Sequence, residues 1–358
     1  MRTRIEQLQA LLPADTAALV ATPHHLGYLT GFPSGDSFLL VTQERSYFLT
    51  DFRYIEMAKN TVSGARCRMI TRLFETVAEL LKEHGVRQLY VETETTSLQF
   101  AERLQAQLRS VNIPHTSELD GWLADMRIVK DDAEVAKILQ AQAIAEEGFL
   151  HIVEYIREGK TEREIALELE FYMRKRGAER MAFDLIVVSG ENSSLPHGIP
   201  TERAVRRGDF ITMDFGAVVD GYHSDMTRTV AVGEVSERQR LVYDTVLQAQ
   251  LSALAVLKEG CRCADGDAAA RRVIETAGFG GCFGHATGHG VGIQVHEAPR
   301  LSPSAGEACL EAGQVVTVEP GIYLEGEFGV RIEDMALITK EGYCNLTKSP
   351  KELILING

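Results

Sequence analysis

The chain has 358 residues, of which 45% are hydrophobic and 25% charged, a balance typical of folded globular proteins and a length sufficient for two domains. Its formal net charge of −14 argues against binding to a nucleic-acid backbone, which relies on clustered lysine and arginine. No apolar stretch approaches the roughly 18 residues that a membrane helix needs. Composition therefore excludes a membrane-spanning protein and disfavours a nucleic-acid-binding one.

The N-terminal segment is amphipathic, with Ile5, Leu8, Leu11 and Leu12 at helical spacing among polar residues. It lacks the continuous apolar core and the cleavage site of a signal peptide. We therefore predict an ordinary helix and a cytoplasmic protein. The cysteines are scattered and form no CxxC pair, so we expect reduced thiols.

Short apolar runs alternate with amphipathic segments between residues 17 and 110. Predicted strands are AALVA, SFLLVT and YFLTD; predicted helices are TRLFETVAELLKEHG and SLQFAERLQAQLRS. Gly85 is a suitable stop for the first of these helices. We predict a small α/β domain over residues 1–125, with its boundary near residues 121–130.

The region 126–358 opens with a long helical pattern that begins near Asp131 or Asp132 and stops at Gly159. A capping box, Thr161 followed by Glu164, starts the next predicted helix, which Gly177 ends. Two more helices are predicted in ERQRLVYDTVLQAQLSALAVLKEG and DGDAAARRVIETAG.

Strand-like runs lie between and after these helices: FDLIVVSG, DFITMDFGA, DMTRTVAVG, QVVTVEP, GVRIEDMALIT and ELILING. Helices and hairpins mixed in this way predict an α+β domain with a largely antiparallel sheet. Asp214 and Asp225 flank one turn, and Glu319 and Glu333 flank another. Each pair resembles a hairpin with an acid in both arms, so we expect two similar halves.

Side chains alternate between the two faces of a strand. This rule places Asp214 with Thr212 on one face, and Asp225 with Thr227 and Thr229 on one face. A carboxylate among apolar strand residues is costly to bury unless it is paired with a cation or bound to a metal.

The same alternation in GVRIEDMALI places Arg331, Glu333 and Met335 together, while Ile332 and Asp334 point away. Asp334 is then a poor ligand candidate. Arg331 lies two residues from Glu333, and we favour a structural role for it as the counter-ion of that acid.

Three histidines, His285, His289 and His296, fall in the glycine-rich run HATGHGVGIQVHEAPR. A histidine alone is more often structural than a ligand, but beside four acids this cluster indicates a metal site.

The proposed ligands are Asp214, Asp225, His289, Glu319 and Glu333. Four negative charges would balance two divalent cations with a bridging water that ionises near neutral pH. Oxygen ligands with one imidazole favour Mn²⁺ or Co²⁺, with Zn²⁺ also suitable.

The segments PHG (196–198), DFGA, SDMTRT, GHGVG, VHE, EPGIY and RIED occur in an order and spacing that resembles the pita-bread metallopeptidases, which include aminopeptidase P and prolidase. Residues 131–358 resemble the catalytic domain of that family. The preceding α/β unit resembles the creatinase-like N-terminal domain of its proline-specific members. The resemblance implies that Asp214 binds one metal, that His289 and Glu319 bind the other, and that Asp225 and Glu333 bridge them.

The resemblance also assigns roles outside the ligand set. His296 would stabilise the developing oxyanion, His197 would hold the proline side of the substrate, and Glu319 would accept a proton from the attacking water. The resemblance also places His285 in the active site and matches Arg300 to a position that binds the free carboxylate in prolidases. We add Tyr323 and Arg331 as candidates for the wall of the substrate site. Tyr323 could instead only pack, and Gln294 stands where many relatives have an acid.

The resemblance thus implies a dinuclear peptidase that cleaves the Xaa-Pro bond at peptide N-termini or in Xaa-Pro dipeptides by means of a metal-bridging hydroxide. Its partners would be small peptides with proline second, and it would form a homodimer. Two alternatives stay open. One is an enzyme like methionine aminopeptidase, which shares the ligands; the other is a non-catalytic binding module of the same fold. The intact ligand set also argues against the metal-free chemistry of creatinase.

Overall fold

A computed structural model describes residues 2–357, and the chain divides into two compact units, Met1–Arg127 and Ile128–Gly358. The border predicted between residues 125 and 126 falls inside the helix Glu118–Ile128, just before this division. Each unit has its own sheets and core. Among the described residues, no helix is both long and apolar enough to span a bilayer.

The first unit is an α/β domain, as predicted. Its helices are α1 (Arg4–Leu11), α2 (Pro23–Thr30), α3 (Ile55–Thr61), α4 (Leu73–Glu83), α5 (Leu98–Gln107) and α6 (Glu118–Ile128). Its strands are β1 (Thr16–Val20), β2 (Phe38–Thr42), β3 (Ser46–Thr50), β4 (Arg66–Met69) and β5 (Gln88–Val91). The five segments predicted between residues 17 and 110 correspond to β1, β2, β3, α4 and α5.

These strands form one mixed sheet in the order β4-β3-β2-β1-β5. The pairs β1–β5 and β3–β4 are parallel, and the two central pairs are antiparallel. Leu40, Leu49, Leu80, Leu89 and Leu104 belong to the core between this sheet and its helices. Burial of this apolar surface is the main stabilising contribution to the unit.

Four helices support the second unit: α7 (Asp132–Tyr155), α8 (Glu162–Lys175), α9 (Glu237–Val256) and α10 (Cys263–Thr276). Capping boxes begin the first two, with Asp131 and Glu134 at α7 and the predicted Thr161 and Glu164 at α8. These boxes satisfy backbone N–H groups that have no partner within the helix. Gly177 follows α8 with a φ of 109°, a conformation that favours glycine.

The strands of the second unit are short and almost all antiparallel. They are β6 (Arg180–Met181), β7 (Ile186–Ser189), β8 (Phe210–Phe215), β9 (Ala217–Val219), β10 (Tyr222–His223), β11 (Met226–Val232), β12 (Gly288–Gly290), β13 (Glu297–Leu301), β14 (Val315–Val318), β15 (Gly321–Leu324), β16 (Phe328–Arg331), β17 (Asp334–Ile338), β18 (Tyr343–Asn345) and β19 (Leu355–Ile356). The larger sheets have the orders β19-β11-β8-β7 and β13-β12-β14-β17-β18. Only the pair β11–β19 is parallel among the pairs described here.

The predicted repeat of two similar halves is visible in the order of elements. In the first half, α7 and α8 precede the antiparallel pair β8–β11, and β9–β10 form a small inner hairpin between those strands. In the second half, α9 and α10 precede the antiparallel pair β14–β17, with β15–β16 as the inner hairpin. Each acid pair therefore lies on an outer strand pair that encloses a second, inner hairpin, whereas the sequence predicts a single hairpin for each pair.

The prediction of a single strand over GVRIEDMALIT is wrong. The chain leaves β16 after Arg331 and enters β17 at Asp334, and these strands belong to different sheets. Glu333 lies in the break between them. The alternation of apolar and polar residues stops at the adjacent acids Glu333 and Asp334, and the apolar run that follows is itself typical of a buried strand.

Each half of the second unit has a hydrophobic cluster on its helices. Ile165, Leu169 and Met213 belong to the cluster on α7 and α8, and Val246 and Ile274 belong to the cluster on α9 and α10. Packed helices on each half give the strands a rigid support, so the loops at the strand ends have fixed starting points.

Candidate metal centre

The four predicted acids all lie at the ends of the paired strands. Asp214 is the penultimate residue of β8, and Asp225 directly precedes β11. Glu319 directly follows β14, and Glu333 directly precedes β17. Because each outer strand pair supplies one acid from each arm, the fold brings side chains that are distant in sequence to the same region.

Asp225, His289 and Glu333 form a compact group. Their ligand atoms all lie within 4.8 Å of one another. His289 Nε2 also lies 3.3 Å from Glu319 Oε1 and 3.7 Å from Asp225 Oδ2. Two acids and the imidazole of the predicted set thus surround one small volume, and Glu319 lies beside it.

The backbone fixes the orientation of the His289 ring. Its Nδ1 lies 3.1 Å from the carbonyl oxygen of Gly290, which can only accept a hydrogen bond, so Nδ1 carries the proton there. Nε2 then faces the carboxylates. In the neutral ring this leaves the Nε2 lone pair available for a metal ion.

Arg331 pairs with Asp214, and this corrects the prediction that Arg331 is the counter-ion of Glu333. Its Nη2 donates to Asp214 Oδ2 over 2.7 Å, and its side chain is 4% exposed. The other oxygen, Asp214 Oδ1, is buried and has no hydrogen-bond partner among the described residues. Glu333 instead accepts a hydrogen bond from Thr227 Oγ1 at 2.7 Å.

The carboxylates raise one another's pKa. Burial, together with the repulsion from Asp214 and Glu319, raises the pKa of Asp225 well above its ordinary value. Burial and the charge of Asp225 do the same to the pKa of Glu333. Burial also raises the pKa of Asp214, although Arg331 opposes this.

Glu319 differs from the other three acids. Burial alone would raise its pKa, but the hydrogen bond and charge of His289 lower the pKa below its ordinary value. The pKa of His289 is raised in turn, because the attraction of Glu319 exceeds the cost of burial. The group therefore contains two ion pairs, Glu319 with His289 and Asp214 with Arg331, and two further acids, Asp225 and Glu333, that lack a positive charge of their own.

These features fit divalent cations. Four carboxylates, two of them buried and two partly buried, have a single arginine and a single imidazole as counter-charges, which leaves a deficit of positive charge. Asp214 Oδ1 is in addition a buried acceptor without a donor among the described residues. Buried carboxylates of this kind are satisfied by cations that they coordinate. Oxygen atoms with one imidazole nitrogen match Mn²⁺, Co²⁺ or Zn²⁺.

A hydrogen-bonded chain of side chains lies next to this centre. Arg331 Nη1 donates to the Tyr323 hydroxyl over 2.9 Å and to the Pro196 carbonyl over 3.2 Å. The Tyr323 hydroxyl lies 2.9 Å from His285 Nε2, and His285 Nδ1 lies 2.8 Å from the Ala286 carbonyl. His285 therefore donates from Nδ1 and accepts from Tyr323. Burial raises the pKa of Tyr323 to about 12, so its hydroxyl remains a donor.

The structure places the remaining predicted residues as follows. The His296 ring lies 4.5 Å from that of His289, centroid to centroid and edge to face, and is exposed. His197 is exposed on the segment after β7, and it contributes to lowering the pKa of both His285 and His296, for which burial is the main cause. Arg300 is exposed on β13, opposite His289 of β12.

Two threonines support the acids and were not predicted to do so. Thr227 Oγ1 donates to Glu333 and accepts from Arg331 Nε over 3.1 Å. Thr317 Oγ1 accepts from the His289 backbone N–H at 3.0 Å and lies 3.3 Å from Glu319 Oε1. Strand alternation could have identified both threonines, because Thr227 lies two residues after Asp225 and Thr317 two residues before Glu319, on the same face of the chain in each case.

Two family models match the chain. The model for metallopeptidase family M24 matches residues 136–340, and the model for the creatinase/prolidase N-terminal domain matches residues 4–129. Together they account for both compact units. The range matched by the M24 model includes the positions of all five proposed metal ligands.

Similar proteins span the full length of the chain. An Xaa-Pro dipeptidase of Pyrococcus horikoshii is 38% identical over 94% of this chain and 94% of its own length. A solved Xaa-Pro dipeptidase from Bacillus anthracis is 40% identical with a TM-score of 0.94, covering 98% of each chain. A solved X-Pro aminopeptidase from Thermotoga maritima is 36% identical with a TM-score of 0.91, covering 98% of this chain and 100% of its own.

Proposed function

The chain belongs to metallopeptidase family M24, and from this membership and its acidic centre we propose that it hydrolyses the bond between a first residue and a following proline in short peptides. The substrates would be Xaa-Pro dipeptides or peptides with proline at the second position. Relatives of both kinds, an Xaa-Pro dipeptidase and an X-Pro aminopeptidase, resemble this chain over nearly its whole length.

One observation carries the proposal. Asp225, His289 and Glu333 bring their ligand atoms within 4.8 Å of one another, beside Glu319 and Asp214, in a chain of a metallopeptidase family. Asp214, Asp225, His289, Glu319 and Glu333 would hold two divalent ions. When bound, these ions would supply Lewis acidity and make water a stronger nucleophile near neutral pH.

The protein's own groups would divide the remaining work. Glu319, whose pKa stays low because of His289, is ionised at neutral pH and can accept a proton. His296, whose pKa is lowered by burial and by His289, is neutral at pH 7 and can donate a hydrogen bond to a developing oxyanion. Arg331 would hold Asp214 in place rather than contact the peptide.

Proline imposes a special requirement, because the nitrogen of an Xaa-Pro bond belongs to a tertiary amide and has no N–H. Recognition must then come from the proline ring and from the carboxyl side of the substrate. We assign the proline side to His197, and the free carboxylate of a dipeptide to Arg300. The chain of His285, Tyr323 and Arg331 would fix the wall of the site.

We further propose that the metal is Mn²⁺ or Co²⁺ and that the enzyme is a cytoplasmic homodimer. The donor set supports the metal, and the resemblance to proline-specific peptidases supports the dimer. Light scattering coupled to size-exclusion chromatography measures the second property. A single monomeric species at micromolar concentration would contradict it.

The function is tested by removing metal with a chelator and reloading separate samples with Mn²⁺, Co²⁺ or Zn²⁺. Each sample is assayed with Ala-Pro, Ala-Pro-Ala and Met-Ala. We expect metal-dependent cleavage of at least one proline substrate and little cleavage of Met-Ala. Preference for Met-Ala would favour the methionine-aminopeptidase alternative, and binding of metal without any turnover would favour a binding module.

A further inference from the structure

The segment that carries His197 is exposed at its centre and tied down at its ends. It leaves β7 at Ser189, forms a short 3-10 helix over Gly190–Ser194, and continues to Thr201. His197 is exposed, and so are Leu195 and Ile199 on either side of it. Gly190, Ser193 and Gly198 are buried, whereas the exposed residues of the segment have few packing contacts of their own, so their position depends on the anchored residues around them.

A single carboxylate anchors both ends. Glu162, the first residue of α8, is fully buried. Its Oε1 accepts hydrogen bonds from the Ser189 backbone N–H at 2.7 Å and from the Ser189 hydroxyl at 2.8 Å. Its Oε2 accepts from the Thr201 backbone N–H at 3.0 Å and from the Thr201 hydroxyl at 2.6 Å.

Asn192 completes the coordination of this carboxylate. Its Nδ2 lies 3.1 Å from Oε1 and 3.2 Å from Oε2 of Glu162. Arg203 Nη1 donates to the Ser189 hydroxyl over 2.8 Å, which favours donation of that hydroxyl's own proton to Glu162. The buried charge is thus satisfied by five donor groups from the segment and its ends, and charge-assisted bonds of this type are the stronger kind.

The centre of the segment is tied to the candidate metal centre. The Pro196 carbonyl accepts a hydrogen bond from Arg331 Nη1 at 3.2 Å, and the Ser193 hydroxyl accepts one from the Gly329 backbone N–H at 2.8 Å. These contacts fix residues just before His197, whereas Glu162 accepts hydrogen bonds from the backbone N–H groups at both ends of the segment. Arg203, just after the segment, adds hydrogen bonds to the Ser189 hydroxyl and to Glu191. An amide in place of Glu162 would offer one acceptor oxygen and would direct an NH₂ group at N–H donors.

We propose that Glu162 is a positioning residue that sets the location of His197, and through it the binding of the proline side of the substrate. The inference rests on the proposed function for the role of His197. The anchoring itself rests only on the contacts of Glu162. Glu162 touches no predicted ligand or substrate group and acts through the segment that it closes.

Amide hydrogen exchange of the metal-loaded protein tests the anchoring without reference to activity. Glu162→Gln should exchange at least about tenfold faster over residues 189–201 than the wild type, because the charged acceptor of two backbone N–H groups is lost. Glu164→Gln is the matched control, since Glu164 is an exposed acid of the same helical turn. Its carboxylate accepts a hydrogen bond from the Thr161 backbone N–H and from no residue of the segment 189–201 among the hydrogen bonds described. Unchanged exchange in Glu162→Gln would overturn the proposal.

If Glu162→Gln does not fold, Glu162→Asp replaces it. This variant keeps the charge but shortens the side chain, so it cannot reach Ser189 and Thr201 together. The same local increase in exchange is expected, and its absence would also overturn the proposal.

A double-mutant cycle tests the route through His197. Glu162→Gln should lower kcat/KM for Ala-Pro about tenfold, mainly through KM, in the wild-type background, and less than about twofold in the His197→Ala background. Equal losses in both backgrounds would show that Glu162 does not act through His197 and would overturn that part of the inference. If the wild type cleaves no proline peptide, the proposed function fails, while hydrogen exchange still decides the anchoring.

Discussion

Two ion pairs join the halves of the second unit in opposite directions. Arg228 of β11, in the first half, donates to Asp334 of β17 over 2.8 Å. Arg331 of β16, in the second half, donates to Asp214 of β8 over 2.7 Å. All four side chains are buried or nearly so, yet the two acids are satisfied to very different extents.

Asp334 is saturated with donors, since Lys351 Nζ and Asn345 Nδ2 each lie 2.8 Å from its second oxygen. Burial alone would raise its pKa, but Arg228 and Lys351 lower the pKa below its ordinary value. Asp214 has one ion-pair partner, Arg331, its second oxygen has no hydrogen-bond partner among the described residues, and its pKa is raised, mainly by burial. An arginine–aspartate ion pair therefore stabilises the fold at Asp334, where both carboxylate oxygens have donors, whereas at Asp214 it leaves one carboxylate oxygen free to coordinate a cation.

The largest effect is expected from Glu333→Gln, which removes a predicted bridging ligand. We expect kcat/KM for Xaa-Pro substrates to fall on the order of a thousandfold, with fewer metal ions bound per chain. Circular dichroism should be unchanged, because the amide oxygen of the variant can still accept the hydrogen bond from Thr227 and the site loses a negative charge that its neighbours repel. Asp334→Asn is the control one residue away, and it should lower stability while metal content per folded chain stays the same.

Exchange of the two arginines for methionine comes next. Arg228→Met should lower the free energy of unfolding of the metal-free protein by about 3–5 kcal/mol, because it removes one partner of a buried pair. Arg331→Met should cost less, since burial raises the pKa of Asp214 and the loss of the arginine that opposes this rise lets the carboxyl group take up a proton. Urea unfolding at pH 7 measures both. Equal losses in the free energy of unfolding would mean that the two ion pairs contribute equally to stability.

The pH dependence of the metal-free protein follows from Asp225 and Glu333. Their pKa values in the folded chain lie well above the ordinary values of 3.8 and 4.5. At a pH between the ordinary and the raised pKa values, the folded chain therefore binds more protons than the unfolded chain. Stability contributed by these groups is then greatest at low pH and falls as pH rises through their folded pKa values. Thermal unfolding with a chelator should show this fall, and bound metal should remove it; a rise with pH would contradict the electrostatic account.

The smallest effect concerns one tyrosine from each inner hairpin. Tyr323→Phe breaks the link between His285 and Arg331 and should lower kcat/KM about tenfold. Tyr222→Phe removes a hydroxyl that donates to Glu134 over 2.7 Å and should leave kcat/KM within about twofold. Similar losses in both variants would argue that the inner hairpins contribute only to the fold.

Strand alternation predicted correctly which residues of β8 and β11 share a face beside the first acid pair. In the structure Thr227 pairs with Asp214 and Thr212 with Thr229, and the hydroxyls of the latter two lie 3.0 Å apart, so these residues share a face. The reasoning worked because β8 and β11 are regular and lie in one sheet. The capping boxes and glycine stops were also predictable, since they depend on local chemistry.

The second acid pair exposed the limits of the same reasoning. Alternation assumes one continuous strand, but the chain changes sheets between Arg331 and Asp334. Sequence proximity suggested Glu333 as the partner of Arg331, whereas the partner, Asp214, comes from the other half. Contacts between segments so distant in sequence are set by tertiary packing, which no local pattern encodes.

The short terminal strand β19 has a practical consequence. It pairs in parallel with β11, where Ala231 lies beside Leu355, and the Gly233 backbone N–H donates to the Ile356 carbonyl. β11 begins directly after Asp225, and β19 covers the edge of its last two residues, at the end away from the centre. Because uncovered strand edges recruit strands of other molecules, a truncation that removes Leu355 and Ile356 would open this edge and favour aggregation during purification.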